Sequence, residues 1–226
     1  MTDRASFVAE ELSALADPGK AAGMAAYMKA DMPFYGVQKP ARSVVLRAMI
    51  ERFPVESREE YEEAVLDLWA LPHREEKYLA IGLATHHGRF VTPSSMPLYR
   101  RLIVEGAWWD FVDEVAVRLV GRVLRDHRRQ LTAPIRTWAA DADMWIRRAA
   151  IISQVGHKDQ TDPVLLFELC ETCAHEREFF IRKAIGWALR EYAKTAPDTV
   201  REFALAHRAE LSGLSFREAT KHLAVS

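Results

Sequence analysis

Apolar residues recur along almost the whole chain at i, i+3 and i+4, the spacing of a helix with one buried face. "EFFIRKAIGWALREYAK" (Glu178 to Lys194) shows it clearly: Ile181, Ile185, Ala188, Leu189 and Tyr192 fall on one stripe, with charged residues elsewhere. No segment shows the strict alternation of a half-buried strand. Start signals precede several of these runs: a proline near the first helical turn in "QKPARSVVLRAMIERF", and a Thr or Ser ahead of "TPSSMPLYRRLI" and "TDPVLLFELC". Gly36, Gly88, Gly106 and Gly156 stand where helices should stop. The pattern predicts about a dozen helices of roughly 10–18 residues joined by short turns.

The helices also repeat. "WIRRAAI" from Trp145, "FIRKAIG" from Phe180 and "SFREATK" from Ser215 are spaced 35 residues apart, so that Arg147, Arg182 and Arg217 align, as do Ala149, Ala184 and Ala219. One further step back places Asp113, Arg148 and Lys183 in register. A period of that length on paired helices predicts an α-solenoid, in which each unit packs on its neighbours and equivalent positions form rows. The fold expected is therefore all-α, a solenoid of antiparallel helix pairs with a concave face, as one domain over residues 1–226.

Charge narrows the choice of partner. The 226 residues carry a net charge of −1, which argues against indiscriminate polyanion binding. "ESREEYEEAVLD" (Glu56 to Asp67) is acidic, whereas Arg118, Arg122, Arg125, Arg128, Arg129, Arg136, Arg147 and Arg148 crowd one stretch. That asymmetry fits one anion-facing surface, and equally a helix-rich surface with solvated charges. No apolar run nears the ~20 residues of a bilayer span, and "MTDRASFVAEEL" lacks the basic and apolar regions of a signal peptide. A cytoplasmic protein is expected. The two cysteines, Cys170 and Cys173 in "CETCAHE", lack the second pair a structural zinc site needs, so two reduced thiols and no metal are expected.

A few side chains exceed what a core requires. In "GAWWDFVDEVA" (Gly106 to Ala116), Trp108, Val112, Val115 and Leu119 form the docking stripe, leaving Trp109 and Asp113 one turn apart at its edge. In the helix from Glu178, Trp187 falls off the stripe beside Lys183, Arg190 and Lys194. Trp187 is either packed on the next repeat beneath snorkelling cations, or it is a stacking surface beside phosphate ligands. Asp113 either forms a salt bridge with Arg148 or stabilises a cation in a substrate. His86 and His87 sit at a helix end, where the terminal dipole accounts for them.

The motifs "MAAYMK", "FYGVQKPARS", "LWALPHREEKYLAI", "WWDFVDEVA", "DMWIRRAAI", "EFFIRKAIGWALREYAK" and "SFREATKHL" together resemble the AlkD-type DNA alkylation-repair glycosylases, which are built of HEAT-like repeats, nearly end to end. The resemblance implies a monofunctional glycosylase without cofactor. It would remove N7-alkylguanine and N3-alkyladenine from double-stranded DNA on a concave DNA-binding face, leaving an abasic site without flipping the base. Asp113, Trp109 and Trp187 would be catalytic, all present here. Arg148, Lys183, Arg190 and Lys194 would contact DNA, and Tyr27 and Gln38 are carried over from the same match as DNA contacts. A monomer with no obligate protein partner, acting at the nucleoid, is implied. The alternatives are a non-catalytic binder of distorted or branched DNA with the same fold, and a helical scaffold for proteins, for which an apolar face would be expected.

Overall fold

The structure is a computed structural model that describes residues 2–224. Among them there is no strand, and the chain is helical throughout, as the periodicity predicts. It divides into two compact units, Met1–Val91 and Thr92–Ser226.

The first unit holds α1 (Asp3–Ala14), α2 (Pro18–Met28), α3 (Lys39–Arg52), α4 (Arg58–Trp69) and α5 (Arg74–His86). Thr2 caps α1, and Ser57 with Glu60 forms a reciprocal capping box at α4, so their first N–H groups are satisfied locally. Val8 and Leu12 of α1, Val45 and Met49 of α3, Tyr61 and Leu68 of α4, and Leu79 and Leu83 of α5 make the core. Helix α2 contributes no buried residue.

A run of four consecutive charges, Arg74, Glu75, Glu76 and Lys77, is buried at the start of α5. The Glu75 carboxylate accepts the backbone N–H groups of Tyr35, Gly36 and Val37. The Lys77 ammonium donates to the carbonyls of Trp69 and Leu71. Buried charges persist only when partnered in this way; here Glu75 pins the segment before α3, and Lys77 pins the turn between α4 and α5. Gly36 lies in that segment with φ of +88° rather than at a helix end; a Cβ there would lie 2.1 Å from the Asp17 carbonyl oxygen.

The second unit holds α6 (Met96–Gly106), α7 (Trp109–Val115), a π-helical stretch (Ala116–Val120), α8 (Gly121–Asp126), α9 (Arg128–Trp138), α10 (Met144–Ile152), α11 (Pro163–Cys173), α12 (Phe179–Ala193), α13 (Pro197–Ala206) and α14 (Gly213–Ala219). Helices α7, α10, α12 and α14 pack in succession, and α9 and α11 pack on each other and on that row. Side chains one period apart, or one or two residues short of it, come into contact here. Arg148 meets Asp113, Lys183 meets Glu218, the Cys173 thiol meets the Ala139 carbonyl, and the Ser215 hydroxyl meets the Arg182 carbonyl.

Helix ends differ in detail from the glycine signals. The left-handed residue after α6 is Ala107, at φ 38°, not Gly106. Gly156 does take φ of +87° after α10, while Gly88 opens a 3-10 turn. Asp162, not Thr161, caps α11 by accepting the Leu165 N–H.

Candidate active site

Helix α7 places Asp113 where α10 can reach it. Arg148 grips the carboxylate with both arms of its fork, Nε to Oδ1 at 2.8 Å and Nη2 to Oδ2 at 2.8 Å. Its third nitrogen, Nη1, donates to the Phe180 carbonyl at 2.6 Å. Arg148 is 5 % exposed, so its guanidinium is sealed into the unit and joins α7, α10 and the start of α12. Such a two-bond pair fixes both position and plane of the carboxylate. Burial raises the Asp113 carboxyl above the usual value; the hydrogen bonds and charge of Arg148 oppose this, and Asp110 and Glu114 add to it.

The two tryptophans of "WWD" part company. Trp108 is the N-cap residue of α7, half-buried, with its ring 6.1 Å from Trp145 and 5.6 Å from Phe180. It sits in an aromatic cluster rather than fully inside the stripe of Val112, Val115 and Leu119, which are buried. Trp109, the first helical residue, lies one turn before Asp113, half-buried. Among the described residues its ring stacks on no other ring and on no cation.

Trp187 shares that condition: half-buried on α12, its ring without a ring or cation partner among the described residues. Of its stripe neighbours, Ile181, Ile185, Ala188 and Leu189 are buried, as expected, whereas Tyr192 is only half-buried. The flanking cations are not free. Lys183 Nζ lies 2.9 Å from the Glu218 carboxylate, and Arg190 pairs with the same carboxylate. Lys194 pairs with Glu191 at 2.6 Å and stays largely exposed. Glu218 was not singled out from sequence, although it lies one period beyond Lys183 inside "SFREATK".

A π-helical stretch begins three residues after Asp113, and Gly121 follows it. Inserted π turns recur at functional sites because they re-aim a helix face. A Cβ on Gly121 would lie 2.5 Å from the Ser153 carbonyl oxygen, so only glycine admits this approach of α8 to the end of α10. The glycine was the available sequence signal; the period of the stretch itself carried none.

In the first unit, Tyr27 is 75 % exposed on α2 and Gln38 is the N-cap residue of α3. Both line a cavity of about 660 Å³ with Lys20, Met24, Phe34 and Arg42. No group of three or more His, Cys, Asp or Glu side chains suited to a metal is found among the described residues. Cys170 and Cys173 are buried free thiols, and burial pushes the Cys173 thiol up to about 12. No helix among the described residues is long and apolar enough to cross a membrane.

By fold the protein falls among all-α helical-repeat proteins, and its second unit carries the Asp113 carboxylate held by a buried arginine. The model of the family described as DNA alkylation repair enzyme matches residues 8–223, and the chain belongs to that family. A solved structure described as a predicted DNA alkylation repair enzyme from Enterococcus faecalis is 30% identical, with a TM-score of 0.85 over 93% of this chain and 98% of that one. No curated protein matches the chain.

Proposed function

We propose that this protein is a DNA glycosylase that hydrolyses the N-glycosidic bond of cationic alkylated purines in duplex DNA, N7-alkylguanine and N3-alkyladenine, leaving an abasic site. The carrying observation is the Asp113 carboxylate, oriented by a buried Arg148 on the same helix as the unpartnered Trp109. A purely structural ion pair has no use for the two half-buried indoles on α7 and α12, which meet no ring or cation among the described residues.

An alkylated purine already bears a positive charge, so it leaves as a neutral base when the C1′–N electron pair departs with it, and no general acid is needed. Positive charge then develops on the deoxyribose. Asp113 opposes that charge, and the faces of Trp109 and Trp187 attract it, by about 0.5–2 kcal/mol each. Water adds to C1′, and its proton passes to Asp113, which burial makes more basic than an ordinary carboxylate. A neutral base gains too little from groups that act only on the sugar, which accounts for selectivity toward cations. The base is left in the stack, as the resemblance to the AlkD-type glycosylases implies.

Lys183, Arg190 and Lys194 supply phosphate contacts on α12, and Tyr27 and Gln38 supply contacts from the first unit. Arg148, being sealed, acts on Asp113 rather than on a phosphate.

The test is release of 7-methylguanine from a duplex with one such lesion, comparing wild type with Asp113→Asn. Wild type should release the base, and the variant should lose about 10²–10³-fold in rate while still binding the duplex. Binding by wild type without release would defeat the glycosylase reading and leave a binder of distorted DNA.

A further inference from the structure

The period of 35 pairs an acid with a base twice, and the two pairs are built differently. In Asp113–Arg148 the base is sealed, its side chain 6% exposed. In Lys183–Glu218 the side chains are 40% and 21% exposed, and Arg190, at 26%, reaches the same carboxylate. Lys183, Trp187 and Arg190 follow at i, i+4 and i+7 on α12, so Glu218 spans two turns of the helix face that carries Trp187.

Glu218 is brought there by close packing. A Cβ on Gly186 would lie 2.4 Å from the Glu218 Cβ and 3.1 Å from the Ser215 carbonyl oxygen, so a glycine lets α14 settle on α12. The docking of α14 has contacts besides the ion pairs. Ser215 and Ala219 are buried, and the Ser215 hydroxyl donates to the Arg182 carbonyl at 3.0 Å. Partly exposed ion pairs add little stability in any case.

We propose that Glu218 is a specificity-determining residue: an intramolecular acid that occupies Lys183 and Arg190 and screens them from the phosphates of undamaged DNA. The proposal rests on the reading of α12 as DNA-facing. The hydrogen bond and charge of Lys183, with Arg190, hold the Glu218 carboxyl below its usual value, so it stays ionised at neutral pH. A phosphate must displace this carboxylate from both cations before it gains them. Non-specific affinity, which is almost wholly electrostatic, is therefore weakened, whereas recognition at the lesion draws also on Asp113 and the indoles.

The experiment compares wild type, Glu218→Gln, and Glu202→Gln as a control with the same charge change on an exposed site of α13. Each is titrated with an undamaged duplex over a range of salt, and each is eluted from heparin. Glu218→Gln should bind the duplex about three- to tenfold tighter at low salt, with a salt slope steeper by about one to two, as freed cations release counterions. It should also leave heparin later than Glu202→Gln. Lys183→Gln should cost little in wild type and clearly more in the Glu218→Gln background, a coupling that does not depend on one variant folding perfectly.

Affinity and heparin elution no higher than those of Glu202→Gln would overturn the screen. So would weaker binding, which would make Glu218 a residue that positions the cations instead. If heparin elution shifts while no variant binds duplex, Glu218 masks the two cations from polyanions in general, the DNA-facing reading of α12 fails, and the role in DNA specificity falls with it.

Discussion

At the scale of the residue, Asp113 is a carboxyl whose proton affinity is set by two opposed effects, burial and a two-bond guanidinium. Burial wins, and its pKa lies above the ordinary 3.8. The sign follows directly. As pH falls, this carboxylate is neutralised earlier than an exposed one, so the rate of 7-methylguanine release should fall on an acidic limb lying above the usual carboxylate range. Single-turnover rates measured from neutral pH downward should show that limb in wild type and lose it in Asp113→Asn. The same raised value means the folded state holds this proton more tightly than the unfolded chain, so the group's contribution to stability declines as pH rises through that window. Above that window the carboxylate is ionised at some expense in folding free energy, which is the cost the proposed active-site role would carry.

At the scale of the element, the second unit is held by side chains that reach across one period. His157, in the loop after α10, contacts the Gly121 carbonyl at 3.0 Å through Nε2. Burial depresses its pKa from 6.5 to about 4. A depressed histidine adds stability that is fully present above pH 6.5 and is lost as pH falls toward 4. Urea unfolding should therefore show about 2 kcal/mol less stability at about pH 5 than at about pH 7.5 from this group alone. His157→Gln, which keeps an N–H donor without the titration, should remove that part of the pH dependence. An equal pH dependence in both proteins would place its origin elsewhere. This loop was legible in the sequence only as a stop at Gly156; its histidine gave no signal, because burial in a turn leaves no helical period to read.

At the scale of the whole molecule, charge is managed by pairing. Of the arginines crowded between Arg118 and Arg148, Arg118, Arg122, Arg125, Arg128, Arg136, Arg147 and Arg148 each have an acidic partner. The overall charge of −1 is thus spread as local pairs. Binding of a lesion-bearing duplex through Lys183, Arg190 and Lys194, with Glu218 displaced, would release the counterions of about three phosphates, a fall in affinity of roughly 40-fold when salt rises from about 50 to about 200 mM. Fluorescence anisotropy across that range measures it directly. A slope near that of a protein with a large unpaired cationic face, about ten phosphates, would mean that many more of these arginines leave their acids on binding.

The chain alone determined the helices, the period of 35 and the residues left over from the core stripes. Each of these follows from where a side chain lies relative to its own helix, and 3.6-residue periodicity records that. Ile181, Ile185 and Leu189 are buried on α12, and Trp187 falls outside their stripe, as the pattern requires. The alignment of Asp113 with Arg148 was also readable, since one period separates them. What periodicity does not record is how deeply a neighbouring helix covers a given pair. Only the tertiary structure decided that Arg148 is sealed and Lys183 is open, that one glutamate of α14 holds two cations flanking Trp187 on α12, and that Trp108 joins Trp145 and Phe180 while Trp109 meets no ring or cation among the described residues. Those outcomes depend on close approaches set by Gly121 and Gly186 and on desolvation by other elements, quantities that exist only once helices distant in sequence are packed together.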